Sequence, residues 1–195
     1  MYHAEPIKKI RNISFIILAL LVVIVIVEMM LDAKEKIPQS IAVFLHQIPY
    51  LTWSDDWGNR RGFIWRLTGS MFSSMNIREK LLGVGPDCYY YYAYDFAEAD
   101  MNAVWGGEAL TNAHNEWFTA VINYGIFGGI AYLGIFASAA AEYAKKAARS
   151  PILIGILACV LSYAGHNLFC YQTVLCTPFI FLIMGIGEWY VRQEN

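Results

Sequence analysis

Charge is scarce in this sequence: of 195 residues only 15% are Asp, Glu, Lys or Arg, while 57% are hydrophobic. An average soluble domain is about a quarter charged, so lipid rather than water is the expected solvent for much of the chain. Excess positive charge is missing as well. A net charge of -2 provides no basic surface, and nucleic acid is excluded as a partner. Cysteine is limited to Cys88, Cys159, Cys170 and Cys176, with neither CxxC spacing nor the histidine pattern of a zinc site, so no structural metal is expected. Buried thiols are the plain expectation for these four. A bridge between Cys170 and Cys176 near one membrane face is the alternative. Internal repeats are lacking too.

Long apolar runs are what the chain has in quantity. A helix needs about 20 mostly apolar residues to cross a bilayer core of about 30 Å, and residues 13–31 meet this. Lys8, Lys9 and Arg11 precede that run as in a signal peptide, yet no small-x-small cleavage site follows before Asp32, so it reads as a retained span. Further spans fall at 117–141, 151–169 and 173–191. Residues 32–116 hold most of the charge, several Gly and Pro, and no run long enough to cross. The predicted fold class is an all-α integral membrane protein of four transmembrane helices, with a large, partly helical extracytoplasmic loop between the first and second.

Orientation follows from basic residues. Lys8, Lys9, Arg11, Lys145, Lys146, Arg149 and Arg192 fall in segments 1–12, 142–150 and 192–195. The positive-inside rule makes these cytoplasmic, which puts 32–116 and the turn 170–172 outside the cell membrane and both termini inside. The loop exceeds about 60 residues, the length over which charge bias controls translocation, so its own basic residues do not oppose this. Gly125 and Gly129 form a small-xxx-small pair that predicts close helix packing. Ser162, Gly165, His166 and Asn167 near the outer end of the third span should face the bundle or a wet cavity.

Two constellations in the loop carry candidate chemistry. Phe63, Ile64, Leu67, Met71, Phe72 and Met75 lie near helical spacing, predicting a helix over 59–75 along the membrane surface with Asn59 as a cap. Arg61 and Trp65 stand four apart, so one face carries both and the indole can support the guanidinium. Arg60, Arg61 and Arg66 either touch lipid phosphates or grip a diphosphate, whose oxygens suit the planar fork of donors. The second constellation, Thr111 to Phe118, enters the second span. Thr111 or Asn112 as cap puts His114 and Asn115 in or near the first turn, with Trp117 at the water interface. A helix N-terminus favours neutral imidazole, which can act as a base, although a histidine at a span's end is also a common interface residue. Glu116 either orients His114 or only favours the helix start. Between the two, Leu82 to Asp87 reads as a tight turn without the flanks of a nucleotide site. Tyr89 to Tyr92 and Tyr94 can lie among headgroups or stack on sugars.

The order of these motifs carries a resemblance. Arg61-Gly-Phe-Ile-Trp65, then Leu82-Gly-Val-Gly-Pro-Asp87, then Ala113-His114-Asn115 with Gly125 beyond, is similar to the O-antigen ligase/polymerase family over about residues 13 to 191. The resemblance implies metal-independent transfer of a glycan from a polyprenyl diphosphate carrier to a glycan or lipid acceptor hydroxyl at the outer membrane face, with no cofactor. It implies His114 and Arg61 as catalytic residues, His114 activating the acceptor and Arg61 holding the diphosphate. Arg60, Arg66, Trp65 and Asn115 would bind substrate, with Arg60 second in line for the arginine role. Family members commonly have ten or more spans, so further helices, from an N-terminal half or another copy, are expected as partners beside membrane lipids. Competing readings are a non-catalytic remnant or accessory subunit of such an enzyme, and a small transporter built on Ser162, His166 and Asn167.

Overall fold

The computed structural model describes positions 13, 16, 17, 20, 21, 23–27, 31, 36–45, 47, 48, 50–106, 109–147 and 150–193. The expected cytoplasmic signals at Lys8, Lys9, Arg11 and Arg149 lie outside the described residues. Among the described residues there is no strand. The chain divides into two compact units, Met1–Phe63 and Ile64–Asn195.

In the first unit, the described positions of the expected span 13–31 are helical and exposed. A short helix α1 (Gln39–Leu45) follows, and then the start of α2 (Trp57–Ser74). Trp53 and Trp57 have ring centroids 5.2 Å apart, and the Trp57 indole N–H donates to the Tyr50 carbonyl at 3.0 Å. Gly58, Asn59 and Arg60 are all left-handed, with φ of 61°, 61° and 68°. Asn59 is therefore no helix cap: regular helix starts only after this reversed turn, where the Phe63 N–H donates to the Asp55 carbonyl at 3.0 Å. Gly62 is required there, since a Cβ would lie 1.8 Å from the Ser54 carbonyl oxygen.

The second unit holds the rest of α2, then α3 (Ile77–Leu82), α4 (Tyr89–Trp105), α5 (Glu116–Lys146), α6 (Pro151–His166) and α7 (Thr177–Gln193). Ile64, Leu67, Met71 and Met75 on α2 and just past its end are at most 5% exposed. The helical spacing was legible, but protein and not a membrane surface covers this apolar face. Asn76 and Glu79 form a reciprocal capping box at the start of α3. Tyr89 is fully buried, and its hydroxyl lies 2.7 Å from Thr68 Oγ1. The tyrosine run is thus split: Tyr89 is a core residue, whereas Tyr91 is exposed.

Among the described residues, α5 alone is long and apolar enough to cross a membrane. Helix α6 is apolar but has only 16 residues, and α7 has 17. The helices stop at His166 and resume at Thr177, so the connection is longer than the expected turn 170–172. Pro151 sits in the first turn of α6, where its missing N–H has no helical partner to lose. Phe136 and Tyr143 of α5 pack with Leu153, Ile156 and Val160 of α6 and with Ile180, Met184 and Val191 of α7. The Tyr143 hydroxyl donates to the Met184 carbonyl at 2.7 Å, close to Gly187, where a Cβ would lie 2.7 Å from the Tyr143 ring. Such close contact plus a hydrogen bond holds helices together in lipid as well as in water.

Gly125 interrupts α5 with φ 70° and ψ -176°. The carbonyls of Ile122 and Asn123 accept instead from the N–H groups of Val84 and Gly85, each at 3.0 Å. Gly83 ends α3, so Leu82 to Asp87 is the expected turn, but it is also a hook on the broken helix. The small-xxx-small reading holds at Gly125, which the end of α3 approaches closely, and not at Gly129. A Cβ at Gly125 would lie 2.3 Å from the Leu81 carbonyl carbon, while one at Gly129 would meet Val121 of its own helix at 2.8 Å. All four cysteines are free, with no Cys170–Cys176 bridge, but protein does not bury them as expected: Cys159 and Cys176 are exposed, Cys88 and Cys170 half-buried.

Candidate functional site

The start of α5 is fastened from several directions. Asn115 has extended backbone and its Oδ1 accepts from the Phe118 N–H at 3.1 Å, so Asn115 is the cap rather than Thr111 or Asn112. Its Nδ2 donates to the Leu168 carbonyl at 2.9 Å. The Glu116 N–H donates to the Asn167 carbonyl at 2.9 Å, and Glu116 Oε2 accepts from the Gln172 N–H at 3.0 Å. The head of α5 is thereby stitched to the segment after α6.

His114 stands one residue before the cap, not in the first turn. Its φ is 47°, and its N–H donates to Asn112 Oδ1 at 2.9 Å, an Asx-type local turn that tolerates the left-handed backbone. The imidazole meets the Tyr171 ring edge-on at 5.4 Å. Ala113 beside it is fully buried with both backbone groups engaged. Its N–H donates to Thr119 Oγ1 at 3.0 Å, and its carbonyl accepts from the Trp65 indole N–H at 3.1 Å. Trp65 also packs against Phe118 and Phe169, at 5.7 and 6.0 Å.

Of the residues singled out in the sequence, Trp65, His114 and Asn115 are brought together in the second unit. Arg66, on the same α2 helix, is exposed. Arg60 and Arg61 belong to the first unit: Arg60 is exposed in the left-handed turn, and half-buried Arg61 donates from its guanidinium to the Gly58 carbonyl.

A cavity of about 680 Å³ opens beside this assembly, lined among others by Asn112, Glu116, Thr119, Asn123, Tyr171 and Gln172. His114 is not in its lining but rests on Tyr171, which is. Thr119 and Asn123 were not weighed in the sequence as site residues, and Glu116 only as orienting His114 or favouring the helix start, although their i, i+3, i+7 spacing places them on one helix face. A smaller, apolar cavity of about 260 Å³ lies against Phe118, Val121 and Ile122, with Trp65 and Phe72 in its wall. The first two turns of α5 therefore separate a polar space from an apolar one.

Among the described residues the architecture is all-helical, with one apolar helix long enough to cross a membrane and polar groups collected at its start. A family model described as O-Antigen ligase matches residues 4–133, well over half of the chain and all three loop motifs. The chain belongs to the O-antigen ligase family. No curated protein and no solved structure matches it.

Proposed function

We propose that this chain takes part in transferring a glycan from a polyprenyl diphosphate carrier to an acceptor hydroxyl at the outer face of the cell membrane, in cell-surface polysaccharide biosynthesis. In this reading His114 takes the proton of the acceptor hydroxyl as its oxygen bonds to the anomeric carbon. The bond from that carbon to the carrier breaks, and the diphosphate leaves with the electron pair, its charge held by Arg61 with Arg60 as second candidate. Trp65, Arg66 and Asn115 belong to the substrate-binding surroundings. The observation that carries the reading is that the family match spans Arg61, Trp65, His114 and Asn115, while Trp65 pins the residue next to His114.

Residues 32–116 and the site lie outside the membrane in this proposal, and both termini inside. Exposed apolar side chains on α5, including Phe127, Ile130 and Leu133, suit contact with lipid and with further membrane helices that complete a groove for the carrier. Such helices would come from the same gene product, a separately encoded half or a second copy.

The test is glycan analysis of cells in which His114→Ala replaces the wild type, with insertion checked by membrane fractionation. Transfer should be lost while the protein remains in the membrane. Wild-type transfer by His114→Ala would overturn the assignment.

A further inference from the structure

The polar cavity and its chemistry extend this reading. Its lining includes the carboxylates of Asp87 and Glu116, and among the described residues that line it there is no Lys, Arg or His. The described lining therefore supplies no cation to hold a diphosphate. Glu116 is 2% exposed, and of its two oxygens only Oε2 has a donor among the described residues, the Gln172 N–H. Asn123 is 5% exposed, and its Oδ1 has no donor among the described residues. A buried acceptor in that state is relieved when a ligand supplies a hydroxyl donor. Thr119 is already engaged, accepting from Ala113 and donating to the Asn115 carbonyl at 3.0 Å. Tyr124, Tyr171 and Phe181 supply apolar ring surface in the wall. A volume of about 680 Å³ falls within the range of small-molecule sites.

We propose that this cavity is a subsite for an uncharged saccharide, held through hydroxyl groups that donate to Glu116 and Asn123, and that it receives the acceptor sugar and not the diphosphate end of the donor. The assignment rests on the glycan-transfer reading. Sugar hydroxyls match the unpaired Asn123 oxygen and the Glu116 carboxyl beside it, and their C–H faces match the aromatic wall. The opposite face of α5, with Phe118, Val121 and Ile122 around the apolar cavity, offers a sugar no such partners. His114, against Tyr171 at 5.4 Å, stands beside the polar cavity, where an acceptor hydroxyl would be activated.

The experiment uses the full chain in phospholipid nanodiscs and saturation-transfer NMR with glucose, galactose and N-acetylglucosamine in turn, each with and without excess inorganic pyrophosphate. At least one sugar should receive saturation, and pyrophosphate should not displace it. Asn123→Leu should weaken that binding about tenfold through loss of the acceptor, while Asn123→Asp, which keeps one, should retain it. Helical content by circular dichroism verifies that both variants are folded, and Glu116→Gln should weaken binding with the backbone contact to Gln172 preserved. Displacement by pyrophosphate, equal binding by folded Asn123→Leu, or no binding of any of the three sugars would overturn the subsite. Glycan transfer by His114→Ala cells separates the two ideas. Lost transfer with no sugar in the cavity removes the subsite alone, whereas sugar binding with transfer intact removes the catalytic reading.

Discussion

Trp65 donates its indole N–H to the carbonyl of Ala113, 48 residues further along the chain, at 3.1 Å. This bond joins the second half of the R-x-x-x-W motif to the residue that precedes His114. The expectation for Trp65 was support of Arg61; the structure shows its indole bracing the histidine segment, with Phe118 and Phe169 against its ring. Trp65→Phe keeps a ring in the space but removes the donor. Stability should fall by about 1 kcal/mol, the net value of one hydrogen bond. Transfer should fall about tenfold or more, because small displacements of a catalytic group are costly. Thermal unfolding and glycan analysis read the two effects separately, and unchanged transfer would detach this bond from activity.

The hook formed by Gly83 and Gly85 on the broken helix should be intolerant of any side chain. A Cβ at Gly83 would lie 2.3 Å from the Asn123 carbonyl oxygen, and one at Gly125 would strike the Leu81 carbonyl. Both positions have positive φ as well. Gly83→Ala and Gly125→Ala should each lower stability by more than about 1 kcal/mol, the cost of left-handed backbone alone. Limited proteolysis should then cut near residues 84–88 faster than in the wild type. An uncut hook in Gly125→Ala would show that the two segments stay joined despite the added methyl group.

Tyr89 offers a test by pH. Thr68 uses its single hydroxyl hydrogen on the Ile64 carbonyl at 2.7 Å, so the Tyr89 hydroxyl is the donor to Thr68. Burial pushes the Tyr89 phenol above its ordinary 10.0, and the hydrogen bond it donates to Thr68 is lost on ionisation. The fold holds the neutral form, so the stabilisation is complete below pH 10.0 and is lost as pH rises above it. Tyr89→Phe cannot ionise. It should cost about 1 kcal/mol at neutral pH and remove this part of the alkaline loss, as followed by unfolding midpoints across the alkaline range. An alkaline profile identical to the wild type would mean that Tyr89 ionises without opposition.

Arg61→Lys tests the diphosphate role. An ammonium keeps the charge but loses the planar fork, so transfer should require about tenfold more donor to reach the same rate. Arg60→Lys should show the smaller change. The reverse ranking in a membrane assay with a polyprenyl diphosphate donor would move the role to Arg60.

Topology is tested in a cysteine-free background. Asp100→Cys should react with an impermeant thiol reagent added to whole cells, and Ala147→Cys should not. The opposite labelling pattern would put the proposed site on the cytoplasmic side and end the case for external transfer.

Periodicity and composition determined much of this protein without coordinates. Apolar runs with little charge announce membrane-directed helices because lipid offers backbone groups no partner outside the helix. The spacing of Ile64, Leu67, Met71 and Met75 announces the loop helix because a period of 3.6 places them on one face. The three motifs in order carried the family, and Pro151 and Gly83 marked element boundaries through their local backbone chemistry.

What covers a face, and what a polar side chain reaches, was decided only by tertiary structure. Helical spacing in α2 does not distinguish a lipid surface from a protein one, and burial of Tyr89 on Thr68 depends on a partner 21 residues away. Asn115 won the cap from Thr111 and Asn112 because its side chain reaches the Phe118 N–H while also meeting the Leu168 carbonyl, a contact no local window contains. Gly125 was visible as a small residue, yet its break is held by Val84 and Gly85. Glu116 and Asn123 share a helix face in sequence, but a cavity exists only where the segment through Tyr171 and Gln172 folds back beside them. The physical reason is common to all of these: local preference selects helix or turn, whereas burial and hydrogen-bond partners are properties of pairs distant in the chain.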